Sequence, residues 1–71
     1  MADLLPPTAR RVLELLATGL STEEVARRLG RPAADVRRDL LRAMEALGAA
    51  SKLEAILIAI RQGLIDPPRT P

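Results

Sequence analysis

The stretch Ser21-Thr22-Glu23-Glu24-Val25-Ala26-Arg27-Arg28-Leu29-Gly30-Arg31-Pro32-Ala33-Ala34-Asp35-Val36-Arg37-Arg38-Asp39-Leu40 decides the fold. Ser21 and Glu24 have the spacing of a capping box, in which a hydroxyl takes an orphan amide and a carboxylate reaches back to the cap. A helix therefore starts here and turns Val25, Ala26 and Leu29 inward. Gly30 suits the left-handed residue that ends a helix. Two places on, Pro32 fits the first position of the next one, where a missing N–H costs nothing. That third helix is expected over about 32–47, with Val36, Leu40, Ala43, Met44 and Leu47 inward and Gly48 as its stop.

On the N-terminal side, a first helix is expected just after Pro7, with Thr8 as its cap, the stripe Ala9, Val12, Leu13 and Leu16 inward, and Gly19 ending it. On the C-terminal side, a fourth starts near Ser51, again with a carboxylate three residues on, at Glu54. It is apolar nearly all round. At about 100° per residue, Leu53, Ile56, Leu57 and Ile60 share one side, and Ala55, Ile58, Ala59 and Gln62 the other. If the first stripe enters the core, the second needs a partner, because a chain this small has no further layer to cover it. A homodimer interface of Ala55, Ile58, Ala59 and Gln62 is expected, against the plainer reading that alanines on a helix are simply good helix formers. The organisation is then an all-α, four-helix bundle: an N-terminal lead over 1–7, a helical domain over 8–65 and a Pro-rich tail over 66–71.

Composition narrows the function. The 71 residues hold 48% hydrophobic residues but no aromatic, cysteine or histidine. The core is therefore aliphatic, with no disulfide to staple it, and the usual imidazole, thiol and zinc constellations lack their parts. No enzyme activity, metal or cofactor is expected. Carboxylates alone, without a calcium-loop spacing, make no metal site. Eleven Lys and Arg against nine Asp and Glu give a net charge of +2, and the pI of about 10.4 overstates this. Little titrates between the carboxylates and the Lys and Arg groups, so the charge stays nearly flat over several pH units. No window reaches the roughly 18 apolar residues of a membrane span and no signal-peptide pattern opens the chain, so a cytoplasmic protein with no membrane partner is expected.

Two helices joined by a tight Gly-containing turn, the second longer and charged on its outward side, outline a helix-turn-helix. The residues themselves resemble the LuxR-type, GerE-like DNA-binding domain. The resemblance runs from Leu5 to Ile65 and is carried by four stretches: Arg11 to Ser21, Glu24 to Gly30, Val36-Arg37 with Leu40 and Leu47-Gly48, and Ser51-Lys52-Leu53-Glu54-Ala55 through Gly63-Leu64-Ile65. The last is the most diagnostic, since sigma-factor C-terminal domains share the first three helices and lack the fourth. The resemblance implies a recognition helix at about 32–47 and dimerisation through the fourth helix. It implies a transcriptional regulator whose partner is double-stranded DNA. A start at Met and the character of the tail suggest a stand-alone regulator.

The outward face of the third helix is expected to be Ala34, Arg38, Leu41, Arg42 and Glu45, with Arg37 on one flank and Asp35 and Asp39 on the other. An Arg fork bonds bidentately to guanine O6 and N7, and Ala34 or Leu41 suits a thymine methyl. Ser21, Thr22 and Lys52 lie where helix N-termini would meet phosphates. The DNA-binding set is therefore Ser21, Thr22, Ala34, Arg37, Arg38, Leu41, Arg42 and Lys52. Departures from the family concentrate at this face. Asp35 and Asp39 stand where Thr and His are usual, Leu41 where a polar or basic residue is usual, and Glu23 where Lys or Asn is often found. Near a polyanion, added carboxylates oppose counterion release, and Asp35 with Arg38 and Asp39 with Arg42 form i, i+3 pairs able to occupy the arginines. Earlier in the chain, Ala9 and Arg10-Arg11 replace acidic residues, and Pro6 stands where the family has a capping Thr. A second reading stays open: a protein-interaction module on a helix-turn-helix scaffold, docking a protein partner through Leu41 between Arg38 and Glu45.

Overall fold

The computed structural model describes residues 5–68, along which four helices follow one another: α1 (Pro7–Ala17), α2 (Thr22–Leu29), α3 (Ala33–Leu47) and α4 (Lys52–Arg61). No strand lies among the described residues. The fold is all-α, as expected. Residues 1–4 of the expected lead and 69–71 of the expected tail lie outside this span.

The helix ends follow the local chemistry of the sequence. Ser21 Oγ accepts the Glu24 amide at 3.1 Å while Glu24 Oε1 accepts the Ser21 amide at 2.9 Å, a complete capping box. Ser51 caps α4 with one half of that arrangement, its Oγ accepting the Glu54 amide at 3.1 Å, while Glu54 Oε1 accepts the Ala50 amide and not that of Ser51. Gly30 takes a φ of +66°, where a Cβ would be strained, and lets the Arg31 amide reach back to the Ala26 carbonyl at 3.0 Å. Two expected starts shift by a residue or two. Pro6, with extended backbone, occupies the cap position of α1, and Pro7 rather than Thr8 opens that helix, where its fixed φ is already helical. Pro32 likewise caps α3 from outside, its carbonyl accepting the Asp35 amide at 3.0 Å and the Val36 amide at 3.3 Å.

A single apolar cluster joins all four helices. Val12, Leu13, Leu15 and Leu16 of α1 meet Val25 and Ala26 of α2, Val36 and Ala43 of α3, and Ala55, Ile56 and Ala59 of α4. Leu5, expected in the lead, and Ile65, beyond α4, are buried with them. Both α1 and α3 touch each of the other three helices, whereas α2 and α4 do not meet. α2 and α4 are thus joined only through their common neighbours, α1 and α3.

The two faces of α4 are partly exchanged relative to the sequence expectation: Ile56 enters the core as expected and Ile60 packs against it, but the leucines do not. Ala55 and Ala59, expected at a dimer interface, are 0% exposed within the protomer, while Leu53 and Leu57, expected in the core, are 64% and 50% exposed. Helix axes approach to about 8–10 Å depending on the side chains between them, and small residues favour the closest approach. α4 lies against both α1 and α3, and Ala9 and Ala43 of those helices are buried in the same cluster. Alanine is therefore the contact residue and the larger leucines face out. Ile58 and Ile60 are half-buried at the margins, and Gln62 is exposed.

Two outcomes follow from these features. Ala59→Leu is expected to destabilise the protein by about 1–3 kcal/mol through overpacking, whereas Leu57→Ser shifts the stability of a monomer by less than about 0.5 kcal/mol, both read from urea midpoints. The Glu24 carboxyl is held below its ordinary pKa chiefly by the Ser21 amide, then by the Ser21 hydroxyl, with Arg27 and Arg28 adding attraction. A pKa lowered by folding gives stability that is present above the unfolded value and is lost as pH falls through the folded one. Glu24→Gln is thus expected to lose less stability than the wild type between about pH 7 and pH 3, measured by urea unfolding at each pH.

Candidate nucleic-acid interface

The outward surface of the α2–turn–α3 unit is built on two side-chain links, one from the turn to α3 and one between the two helices. In the first, Arg31, in the turn, donates from Nη1 to Asp39 Oδ2 at 2.7 Å. Asp39 is 8% exposed, so the carboxylate expected on the flank of the reading face is turned into the angle between the turn and α3. The expected Asp39 to Arg42 pair does not form. A partly buried carboxylate takes the cation that faces it across the turn, because low local dielectric favours a paired arrangement over a solvated one. Asp39 is then no free negative charge at the surface.

In the second link, Arg37 Nη2 donates to Glu23 Oε2 at 2.6 Å, joining α3 to the first turn of α2. Both side chains are more than half exposed, so the pair adds little stability, and its effect is to hold Arg37 beside the α2 N-terminus. Arg38 lies 3.8 Å from Asp35, the expected i, i+3 pair in a loose and solvated form. Arg42, Arg27, Arg28 and Lys52 enter no ion pair among the described residues.

The expected contact residues are at the surface. Ser21, Ala34, Arg37, Arg38, Leu41, Arg42 and Lys52 are exposed and Thr22 is half-exposed. The inward face of α3, formed by Val36 and Ala43 with Leu40, Met44 and Leu47 packed against the core, fixes this orientation. Ser21 is engaged by Glu24 through the capping box, its Oγ accepting the Glu24 amide and its amide donating to the Glu24 carboxylate. Lys52 opens α4, at the far end of α3 from the turn. The sequence reading missed the Arg31 to Asp39 link. Its signal was a cation fixed between Gly30 and Pro32, but the eight-residue separation lies outside helical i, i+3 and i, i+4 rules.

The architecture defines a class of protein: a helix-turn-helix domain carrying a cationic outward face on its second helix. The family described as Sigma-70, region 4 matches residues 1–47, and the chain belongs to that family. That match ends with α3, so it spans the three helices that the helix-turn-helix needs. The likeness to a solved structure extends further. A structure described as "Structure of Transcription factor, GerE" superposes with a TM-score of 0.86 at 26% identity, covering 92% of this chain and 97% of that one. The chain is therefore a GerE-like helix-turn-helix domain whose family and fold are those of DNA-binding regulators and not of enzymes. No curated protein sequence matches it. No helix among the described residues is long and apolar enough to cross a membrane.

The Arg31 to Asp39 link has a measurable weight. Asp39→Ala leaves a partly buried guanidinium without its acceptor and is expected to cost about 1.5–3 kcal/mol, the range for hydrogen bonds to charged groups. Asp39→His, which would add a basic group if the position faced solvent, is expected to destabilise as well, both read from thermal unfolding.

Proposed function

We propose that the protein is a DNA-binding transcriptional regulator that inserts α3 into the major groove and acts as a homodimer on an inverted-repeat site. The carrying observation is the exposed face of α3, on which Ala34, Arg37, Arg38, Leu41 and Arg42 stand clear of the core in a fold of the GerE type. Arg38 and Arg42 are the base-reading cations, because neither is tied to another helix. Arg37, held by Glu23, meets a phosphate beside the start of α2, where Ser21 and Thr22 make neighbouring contacts. Lys52 takes a phosphate at the other end.

The dimer runs through α4, but through its leucines. With Ala55 and Ala59 inside the protomer, the surface offered to a second copy is Leu53 and Leu57, flanked by Ile58, Ile60 and Gln62. Two large exposed leucines one helical turn apart form the apolar centre that a two-fold helix pair requires. The alternative, a protein-interaction module, draws on the exposure of Leu41 and on the carboxylates Glu23 and Asp35 beside Arg37 and Arg38. Those carboxylates weaken nonspecific attraction to DNA and leave site selection to the dimer.

Titration against mixed-sequence duplex at low salt tests the reading. Salt-sensitive binding is expected, with Arg38→Ala weakening binding to a selected site by about 1–3 kcal/mol. No salt-sensitive binding at about 10–100 μM, where nonspecific association is typical, sinks it. Leu57→Glu is expected to sediment as a monomer with unchanged helicity, and a wild type already monomeric at high concentration rejects the dimer.

A further inference from the structure

Leu41 is 58% exposed and takes no part in the core, whose contacts from α3 are made by Val36, Ala43 and their half-buried neighbours. It sits on the stripe Ala34, Arg38, Leu41, at i, i+4 and i+7, with Arg42 next to it. Apolar surface in this position gains little from folding and leaves a leucine largely in water beside Arg38 and Arg42, with the exposed Glu45 one turn further along α3. Arg42 has no ion-pair partner among the described residues and Arg38 has only a solvated one 3.8 Å away. A partner fitted to Arg38, Leu41 and Arg42 is anionic where it meets the arginines and apolar at one point beside them. The major groove of duplex DNA has that form: its walls carry phosphates, and the apolar feature on its floor is the thymine C5-methyl group.

We propose that Leu41 is a specificity-determining residue that packs on a thymine methyl while Arg38 and Arg42 contact the neighbouring bases or phosphates. The inference rests on the DNA-binding reading and names what that site prefers. Leu41 and not Ala34 is the reader because its side chain extends from the helix surface, whereas the methyl of Ala34 adds little reach and instead lets the start of α3 approach the groove floor. Three helical residues span about 4.5 Å along the axis, so the thymine lies within about two base pairs of the base bound by Arg38.

The test uses the whole chain and a duplex selected by it from a random pool. Each thymine of the selected half-site is replaced in turn by deoxyuridine, which lacks only the C5-methyl. At one position, near the base whose recognition Arg38→Ala removes, the replacement is expected to weaken wild-type binding about fourfold, the factor for one buried methyl-sized group. Leu41→Ala is expected to bind both duplexes equally, and Leu41→Met to regain discrimination; circular dichroism checks that both variants are folded. Deoxyuridine without effect at every position overturns the proposal, as does a Leu41→Ala variant that keeps the wild-type penalty. In both cases DNA binding itself survives. Failure to select any salt-sensitive duplex overturns the DNA-binding reading together with the role of Leu41, and assigns the exposed leucine to a protein surface.

Discussion

α3 must serve two environments at once, and the rest of the molecule is arranged around that constraint. It touches α1, α2 and α4, so a large part of its surface is committed to holding the domain together. What remains outward is a narrow stripe. Val36 and Ala43 are fully buried, and the intervening turns carry Arg38, Leu41 and Arg42 to the opposite side. The orientation of those side chains is thus fixed by core packing, and a reading surface built on a packed helix is more precise than one built on a loop. The same arrangement explains why aromatics are dispensable. Short aliphatic side chains, with alanines at the closest contacts, close a core around a helix that has neighbours on three sides.

Charge on the α2–turn–α3 unit is sorted by burial. Carboxylates that look alike in sequence have different roles: Asp39 ties the turn to α3 from within, Glu23 steadies an arginine across two helices, and Asp35 stays solvated beside Arg38. Glu24 is absorbed by the helix start it caps. Counting them together as repulsion toward a polyanion overstates the effect, since the Asp39 carboxylate lies against a guanidinium that cancels it. The net +2 of the chain is therefore unevenly felt, with Arg42, Lys52 and the α2 pair Arg27 and Arg28 carrying most of the uncompensated positive charge.

The helices were legible because their ends are written in local chemistry. The Ser21 and Glu24 box, Gly30 and Gly48 each act within a few residues, and their effect does not depend on the remainder of the fold. The surface position of the contact residues was legible for a related reason, since the inward stripe of α3 leaves only one side for Arg38, Leu41 and Arg42. What sequence periodicity did not reveal is which of two apolar faces a helix turns inward. On α4 both faces read as hydrophobic. The choice fell to Ala55 and Ala59 because the decisive quantity is the distance between helices, a property of the neighbours and not of α4. Asp39 was misplaced for the same kind of reason: its partner lies across the turn, out of reach of any rule for spacing along one helix.

The alanine-lined inner face of α4 separates two kinds of evolutionary freedom. Ala55 and Ala59 have no room to grow, so substitutions there are tested by folding before anything else. Leu53 and Leu57 face away from the core, and exchanges at those places alter what the helix associates with while the domain beneath stays intact. Association preferences on this scaffold can therefore diversify through a few surface positions without a compensating change inside, and lineages carrying the same interior can come to differ in the company they keep.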